Sequence, residues 1–301
     1  MMNCRDYIIA DRRVRFSGEG SETIIAMLTP FDRFAIETTP VDKPLVEIVM
    51  GVEVAFAGSD YNLLTKFDLE DGLGVCSFFS NADGYTLLIE GGASNVVLVA
   101  DKSVKMVRTN ITQASTSEYL SCVRFGLWFV INMAFVMDGC SAVHSSTIVC
   151  HDGAVMFLGE SGTGKSTHTR LWRENIQGAM LLNDDSPFVA LRDGEVYVYG
   201  SPWSGKTPCY KNECYPLRGV VRLSQAPHNA MRKLHKVQAI GAMLPSLPPA
   251  FVYDQVLEEA LLDVLSKVLR QVPVYHLECL PDADAAKLSY NTIFGDEVSC
   301  R

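Results

Sequence analysis

Hydrophobic and polar positions alternate over short stretches through the first hundred residues of the chain, a pattern typical of strands with one buried face. Between two of these stretches, Asp83 and Gly84 predict a tight hairpin turn, because both residue types tolerate a positive φ. We therefore predict a β-rich N-terminal region. Its predicted strands cover residues 34–37, 45–56, 75–79, 85–90, 96–100 and 104–107.

A long apolar run follows, over residues 125–137, and predicts a buried helix from about Glu118 to Met137. Gly139 is a natural end for this helix. The run is shorter than a membrane span requires, and it contains Asn132. Its N-terminus can be capped by one of three hydroxyl residues: Ser115, Thr116 or Ser117.

After residue 139 the pattern changes to short apolar runs separated by loops and helices, so we predict two domains, 1–140 and 141–301. The first is a smaller β-rich domain with a closing helix, and the second is an α/β domain. Apolar residues at helical spacing predict a helix with a core-facing stripe over residues 256–269. The predicted strands of the second domain are 146–150, 154–158, 180–183, 188–191, 196–199, 219–223 and 272–277.

Composition excludes a disordered chain, since 48% of the residues are hydrophobic and 20% are charged. The 26 Lys and Arg against 35 Asp and Glu give a net charge of -9, which argues against general binding to nucleic acid or to an anionic membrane. The first residues lack the pattern of a secretory signal. The nine cysteines lack the spacing of zinc or redox motifs, which favours reduced thiols in the cytoplasm.

The strand predicted at 154–158 is followed by the pattern G-x-x-x-x-G-K-S, which is typical of glycine-rich loops that cradle phosphate groups. Its glycines let the backbone wrap around an anion, and amides of the loop and of the first helical turn point at phosphate oxygens. Lys165 supplies positive charge for the β and γ phosphates, and the Ser166 hydroxyl is the expected Mg²⁺ ligand. The alternative is a glycine turn that happens to precede a lysine. The predicted nucleotide-binding residues are Gly159, Glu160, Ser161, Gly162, Thr163, Gly164, Lys165, Ser166 and Thr167.

Two adjacent carboxylates, Asp184 and Asp185, end the strand predicted at 180–183. An aspartate at a strand end beside a phosphate loop is the usual second anchor for Mg²⁺. With the metal bound, one carboxylate can serve it while the other accepts a proton from an attacking hydroxyl, which fits kinase chemistry. The alternative is an acidic turn before Ser186 and Pro187.

Two further residues have a chemistry that the pattern does not assign by itself. His144 lies just before the strand that precedes the loop, and a lone histidine is more often structural than a ligand. Lys206 ends the stretch Pro-Trp-Ser-Gly-Lys after the strand at 196–199. It can reach a phosphate or an acidic substrate, or it can be a solvated loop lysine.

The spacing of these residues resembles the group that contains HPr kinase/phosphorylase and phosphoenolpyruvate carboxykinase. The features are His144 one strand before the loop, the loop Gly-Glu-Ser-Gly-Thr-Gly-Lys-Ser, and the sequence Asn-Asp-Asp at 183–185, within residues 140–225. The resemblance implies a P-loop nucleotide-binding domain of that group, with His144 near the metal or the transferred phosphate. It also implies that the two aspartates divide the base and metal roles. We favour Asp184 as the base and Asp185, with Ser166, as metal ligands.

The chain is also similar to poorly characterised bacterial proteins labelled HPr-kinase-like, in which the loop continues T-H-T-R-L-W and P-W-S-G-K occurs later. These are residues 167–172 and 202–206 here, which makes Lys206 a candidate substrate contact. Thr167 stands where HPr kinases usually have Glu, which argues against HPr itself as the acceptor. The arginine that binds oxaloacetate in the carboxykinases is not recognisable in this sequence.

We therefore predict a cytoplasmic enzyme that binds ATP and Mg²⁺ and transfers the γ-phosphoryl group to a hydroxyl, either on a serine of a small protein or peptide or on a small metabolite. The predicted catalytic residues are Asp184, Asp185, Lys165 and His144. Two alternatives stay open: phosphoenolpyruvate carboxykinase-type activity, and a non-catalytic binding module gated by nucleotide. We expect no nucleic-acid or membrane partner. The sequence leaves open the acceptor and whether the protein is a homo-oligomer.

Overall fold

The computed structural model describes residues 4–38, 42–54, 56, 60–91, 95–113 and 116–298. The chain forms two compact units of mixed α/β structure. The first comprises Met1–Asp138 and Ala250–Glu259, and the second comprises Gly139–Pro249 and Ala260–Arg301. The two units are of similar length, and the first is slightly the shorter.

Residues 250–259 belong to the first unit although they lie in the second half of the sequence. The Phe251 ring contacts Phe129 edge-on, with 5.4 Å between the ring centroids. The Tyr85 hydroxyl donates a hydrogen bond to Asp254 Oδ1 at 3.0 Å. Burial of an aromatic ring against the first unit explains why a single boundary near residue 140 does not describe this part of the chain.

The first unit is built on one sheet. In its described part the strands are β1 Cys4–Ile9, β2 Arg12–Gly18, β3 Ala35–Ile36, β4 Val46–Met50, β5 Asn62–Asp68, β6 Val75–Ser80, β7 Gly84–Glu90, β8 Val96–Asp101 and β9 Met106–Thr109. Their order across the sheet is β3-β1-β2-β4-β9-β8-β7-β6-β5. Neighbours run antiparallel, except that β4 runs parallel to both β2 and β9. Buried residues alternate with less buried ones along β4 and β8, as the sequence pattern predicts.

A hairpin is observed at the predicted place, but Asp83 and Gly84 do not have the positive φ angles that we expected, and Gly84 is already the first residue of β7. Asn81 N donates to Gly84 O at 2.9 Å, and the Asn81 side chain accepts hydrogen bonds from the amides of Asp83 and Gly84. These bonds close the turn between β6 and β7, whose predicted positions are confirmed.

Three strand predictions in this unit are wrong at their ends. The strand predicted at 34–37 is reduced to β3 because Thr29–Phe34 forms a 3₁₀ helix. The strand predicted at 45–56 ends at Met50, and residue 55 lies outside the described part of the chain. The strand predicted at 104–107 begins two residues later because Val104 has a φ of 51°.

The hydrophobic pattern does not reveal β1 and β2, because both carry charged residues into the sheet. Asp6 is fully buried, and its carboxylate oxygens lie 2.8 Å from Arg13 Nη1 and 2.7 Å from Arg15 Nε. A buried carboxylate needs such cationic partners. The three charged residues interrupt the runs of apolar residues that would otherwise predict β1 and β2. The helix α1, Ser21–Met27, follows β2 and is likewise absent from the sequence prediction.

The predicted long helix is observed as α2, Ser117–Met137. Thr116 caps it, accepting a hydrogen bond from Tyr119 N at 3.1 Å, whereas Ser115 lies outside the described residues. A Cβ added at Gly126 would lie 2.7 Å from Leu98 Cδ1, so the helix packs closely against β8. By length and hydropathy α2 resembles a membrane span, but 67% of its most apolar window is buried inside the structure, as expected of a core helix.

The second unit contains a mixed sheet. Its described strands are β10 Cys140–Ala142, β11 Ser145–Cys150, β12 Gly153–Leu158, β13 Met180–Asp185, β14 Phe188–Arg192, β15 Glu195–Tyr199, β16 Cys214–Gln225, β17 Ala230–Lys233 and β18 Val274–Cys279. The order is β10-β14-β15-β16-β12-β11-β13, with β18 beside β16 and β17 beside β18. The β16 strand runs parallel to β12 and β18, so the carboxyl ends of these three strands meet at one edge of the sheet. Other neighbours are antiparallel.

Four helices accompany this sheet in the described residues: α3 Lys165–Asn175, α4 Lys236–Met243, α5 Gln255–Gln271, which starts in the stretch that belongs to the first unit, and α6 Ala283–Val298. The apolar stripe predicted for α5 is buried at Leu257, Leu261 and Val264, but Val256 is exposed. The hydrophobic pattern of the sequence does not indicate α4 or α6.

Trp172 holds α3 on the sheet. Its side chain is fully buried, and its ring contacts Phe157 of β12 at 5.6 Å and Phe294 of α6 at 6.3 Å between centroids. The indole N–H donates to Ser289 Oγ at 2.9 Å, which satisfies its polar atom inside the core. This packing fixes the position of the segment that connects β12 to α3.

Candidate functional site

The glycine loop, residues 159–164, connects β12 to α3. Gly162 and Gly164 have φ angles of 83° and 100°, in the left-handed region that favours glycine. Thr163 closes the loop on itself, since its Oγ1 donates to Glu160 O at 2.8 Å. Gly164 is the N-cap of α3, and because it has no side chain it does not cap the first backbone amides of the helix. The first-turn amides of a helix have no intrahelical acceptor, so this end of α3 favours an anion.

The Lys165 side chain folds back over the glycine loop. Its Nζ donates to Gly159 O at 2.7 Å and to Glu160 O at 3.2 Å. The ammonium group is therefore held beside the loop backbone by two carbonyl oxygens. Phosphate oxygens bound in the loop would be alternative acceptors for the same group.

The loop and the acidic pair, Asp184 and Asp185, meet at Ser166. Ser166 Oγ lies 3.3 Å from each carboxylate oxygen of Asp184. Asp184 is only 6% exposed, whereas Ser166 is exposed. Among the described residues, the Ser166 hydroxyl is the one side-chain donor within hydrogen-bond distance of this carboxylate. A buried negative charge with so few donors is costly, and a cation would compensate it.

Strand pairing brings His144 to the other aspartate. The β11 and β13 strands pair antiparallel with Ser145 opposite Asp185, which puts His144 at the end of the same pair. His144 Nδ1 lies 3.3 Å from Asp185 Oδ1. Both side chains are partly open to solvent, with exposed fractions of 52% and 39%. His144 N also donates to Ser246 O at 2.6 Å, which fixes the backbone at this position.

Asn183 anchors a second loop, residues 201–209, against the acidic pair. Its buried Nδ2 donates to Trp203 O at 2.8 Å, and its Oδ1 accepts from Ser186 N at 2.9 Å. Gly205 N donates to Asp184 O, so this loop lies directly on the end of β13. In the sequence Asn183 is recognisable only as part of a motif, because its contact with Trp203 O joins residues twenty positions apart.

Lys206 follows Gly205 on this loop and is exposed. The structure therefore brings Ser166 to Asp184 and His144 to Asp185, while Lys165 contacts the backbone of the glycine loop. It leaves Lys206 on the surface near the acidic pair, without a described contact to either group.

Two side chains of β16, neither of which belongs to a motif of the sequence, contact the glycine loop. Arg222 pairs in register with Leu158, the residue before the loop, and its Nη2 lies 3.7 Å from Glu160 Oε1. Gln225 Nε2 donates to Gly162 O at 3.2 Å. Both contacts depend on the parallel pairing of β12 with β16, so no local sequence signal would have identified them.

His168 lies one turn into α3 and is buried. Its Nε2 lies 3.1 Å from Ser289 Oγ, and Trp172 Nε1 donates to the same nitrogen at 3.2 Å. Burial lowers the pKa of His168 from 6.5 to about 4. The ring is therefore neutral at pH 7. Its contacts with Ser289 and Trp172 stabilise the helix that begins at the glycine loop.

We expect the free energy of unfolding to decrease as the pH falls from 6.5 towards 4, because the unfolded chain then binds a proton at His168 that the folded protein does not bind. At pH 5 this difference in protonation of His168 lowers the free energy of unfolding by about 2 kcal/mol. Urea unfolding between pH 5 and 7 measures it. His168→Gln should flatten the pH dependence, whereas His228→Gln, at an exposed position, should not. If the free energy of unfolding depended equally on pH in the two variants, the assignment of this pH dependence to His168 would be contradicted.

No group of three or more His, Cys, Asp or Glu side chains positioned to hold a metal ion occurs in the part of the chain that the structure describes. A cation at this site would therefore take only a few ligands from the protein. Ser166 and Asp184 offer hard oxygen atoms close to the glycine loop. Mg²⁺ keeps several waters and binds phosphate oxygens besides one or two carboxylates, so this donor set fits it.

No family model matches the sequence, and no curated protein matches it. Among solved structures, the chain is similar to the Hpr(Ser) kinase/phosphatase from Coxiella burnetii, with a TM-score of 0.31 and 10% sequence identity. The match covers 52% of this chain and 97% of that chain. A likeness this weak assigns neither a fold family nor an activity, so membership in the HPr kinase and carboxykinase group stays a prediction.

Proposed function

We propose that the second unit binds a nucleoside triphosphate with Mg²⁺ and transfers the γ-phosphoryl group to a hydroxyl. The observation that carries this proposal is the convergence of the glycine loop and the acidic pair at Ser166, 3.3 Å from both carboxylate oxygens of Asp184. A phosphate-binding loop alone fits many activities. A metal-binding carboxylate beside the loop, with a second carboxylate next to it, fits phosphoryl transfer.

The loop supplies binding and charge neutralisation. In the proposed complex the amides at the start of α3 donate to phosphate oxygens, and Lys165 Nζ exchanges its contacts with Gly159 O and Glu160 O for contacts with phosphate oxygens. Since Nζ already lies over the loop, little reorganisation is needed. In phosphoryl transfer, such positioning and electrostatic stabilisation account for most of the catalysis.

Ser166 and Asp184 are the residues that would hold Mg²⁺, which would neutralise charge on the phosphate oxygens. The support is the buried Asp184 carboxylate, whose described side-chain donor is a single hydroxyl. This division of roles reverses the one that we favoured from the sequence, in which Asp185 was the metal ligand. The reason is geometric, because Ser166 lies beside Asp184.

Asp185 is then the proton acceptor. Its carboxylate is partly open to solvent and lies against His144 Nδ1, so an acceptor hydroxyl can approach it from outside. The hydroxyl oxygen forms a bond to the γ phosphorus, the bond from that phosphorus to the bridging oxygen breaks, and the nucleoside diphosphate leaves. The hydroxyl proton passes to Asp185, with His144 positioned to orient the carboxylate.

The test is to incubate the protein with γ-labelled ATP, Mg²⁺ and a bacterial lysate separated into protein and small-molecule fractions. We expect the label to move to an acceptor in one fraction, to require Mg²⁺, and to stay on ATP with Asp184→Asn. Slow release of labelled inorganic phosphate with every fraction would contradict a kinase. ATP binding without turnover would instead support a binding module, and nucleotide-dependent conversion of oxaloacetate to phosphoenolpyruvate would support a carboxykinase. The cytoplasmic location stays a prediction.

A further inference from the structure

Three basic side chains lie side by side across three neighbouring strands of the second unit. Arg222 of β16 pairs in register with His276 of β18, and His276 pairs in register with Arg232 of β17. Residues that pair in register point to the same face of a sheet. We infer that this basic row, Arg222, His276 and Arg232, binds a phosphate group at a site separate from the glycine loop. Such a site goes beyond the proposed function and does not depend on it.

The charge of the basic row has little compensation within the protein. Like charges directly opposite each other destabilise a sheet. The Arg232 side chain is exposed, and its described contact is with His276 and not with a carboxylate. Arg222 Nη2 lies 3.7 Å from Glu160 Oε1, but the Glu160 side chain is 85% exposed, so this ion pair contributes little. An anion held by both arginines would supply the missing negative charge.

The sequence around the row is basic although the protein as a whole is acidic. Residues 214–253 contain five Lys or Arg and no Asp or Glu, whereas the chain has a net charge of -9. Two of the three row residues, Arg222 and Arg232, lie in this stretch. A local excess of positive charge raises the local concentration of anions, which favours an anionic ligand here.

Hydrogen bonds determine which groups of the row can donate to a ligand. Arg232 Nη2 lies 3.5 Å from His276 Nδ1 and, because a guanidinium only donates, Nδ1 is the acceptor. The hydrogen of the neutral ring is then on Nε2, which donates to Ser224 Oγ at 2.9 Å. Ser224 keeps its own hydroxyl hydrogen for a ligand, beside arginines whose forked N–H groups match phosphate oxygens. Two positive charges and these donors fit a phosphate dianion.

The row lies on an accessible part of the sheet. Arg222 and His276 are near the carboxyl ends of the parallel strands β16 and β18, where ligands bind in α/β sheets. The next residues along these strands, Leu223 and Leu277, point to the opposite face and belong to the buried core around Trp172. Among the described strands β17 pairs with β18 alone, so Arg232 stands at an open edge.

Two contacts limit where the phosphate can lie. Arg222 Nη1 donates to Ala242 O at 3.3 Å, which holds this guanidinium beside the end of α4. Glu278 pairs in register with Ser224 and with Ala230, so it lies on the face of the row, closer to the strand ends. Its carboxylate repels an anion from the strand ends and restricts the phosphate to the row.

The test follows the ring nitrogens of His276 by NMR, in the full chain labelled with ¹⁵N-histidine, because this signal reports on the row itself. The signal is identified as the one that His276→Gln removes. Inorganic phosphate is titrated at constant ionic strength, with chloride as the reference. We expect a saturable shift with phosphate and none with chloride. Arg232→Gln should raise the Kd for phosphate at least about tenfold, as for the loss of a charge-assisted hydrogen bond.

Lys233→Gln is the matched control, because Lys233 is exposed on β17 and points to the opposite face from Arg232. It should change the Kd by less than about twofold, since charges away from the site are screened. Glu278→Gln should lower the Kd about twofold to fivefold by removing a repulsive charge. The site would be overturned by the absence of a saturable shift, by equal effects of Arg232→Gln and Lys233→Gln, or by a higher Kd in Glu278→Gln.

Lys165→Met separates the row from the glycine loop, which also binds phosphate if the proposed function is correct. The His276 shift should persist in this variant. Its loss in Lys165→Met together with its persistence in Arg232→Gln would place the phosphate in the loop, which overturns the row and supports the proposed function. A His276 shift in a protein that binds no nucleotide would support the row and overturn the proposed function.

Two ligands share this chemistry, inorganic phosphate and the phosphate monoester of a small metabolite. Glycerol 3-phosphate, titrated in the same way, distinguishes them. Tighter binding than that of inorganic phosphate would support the row as a site for a phosphorylated metabolite. Weaker binding would support it as a site for the free ion, and no shift with either probe would overturn it.

Discussion

Asp185→Asn is expected to lower kcat for phosphoryl transfer by about 10² to 10⁴-fold, the range over which a positioned general base contributes. The amide keeps the shape of the side chain but cannot accept the hydroxyl proton. Nucleotide affinity should change little, because Asp185 Oδ1 lies against His144 and the loop contacts Asp184 instead. Single-turnover transfer of γ-labelled phosphate to the identified acceptor, with affinity measured separately by calorimetry, checks both expectations.

The comparison with Asp184→Asn separates the two aspartates. Because Asp184 lies 3.3 Å from Ser166 Oγ, its neutralisation should weaken the Mg²⁺-dependent part of nucleotide binding and raise the Mg²⁺ concentration needed for activity. If Asp185→Asn retains kcat within about threefold of wild type, Asp185 is not the base. If Asp185→Asn also shifts the Mg²⁺ requirement, the division favoured from the sequence is the correct one.

Lys165→Met is expected to lower both nucleotide affinity and turnover, with a loss of at least about 10² to 10³-fold in kcat, as for removal of other groups that stabilise transition-state charge. Methionine has a similar length and no charge. Lys165→Arg should not restore full activity, because a planar guanidinium does not replace a compact ammonium between the loop carbonyls. Calorimetry and transfer of labelled phosphate measure the two effects.

The control for this substitution is Lys233→Met, which removes an exposed lysine of β17 and the same formal charge. It should leave affinity and turnover unchanged apart from small long-range effects. Equal losses in Lys165→Met and Lys233→Met would mean that the net charge of the unit, and not a contact at the glycine loop, controls binding.

Elements with a strong local pattern could be predicted from the sequence. The hairpin at Asp83 and Gly84, the helix α2 and the strands on either side of the hairpin depend on residues that are neighbours in the chain. Where a charged residue is buried by partners on the paired strand, as Asp6 is by Arg13 and Arg15, the same pattern fails. Hydrophobic periodicity does not register a buried ion pair.

The candidate site divides in the same way. The glycine loop is contiguous, so its sequence identifies the anion-binding geometry of its backbone. The adjacency of Asp184 and Asp185 is likewise readable, but their individual partners are not. The antiparallel pairing of β11 with β13 puts His144 beside Asp185, and the packing of α3 on the sheet puts Ser166 beside Asp184.

By itself, the sequence of this protein determines a glycine loop with its lysine and serine, an acidic doublet, and most of the strands around them. Each of these follows from residues close together in the chain, whose backbone preferences act locally. Tertiary structure alone decides which aspartate meets Ser166, which strands form the basic row, and that residues 250–259 join the first unit. These outcomes depend on strand register and side-chain packing between distant segments, which no local preference encodes.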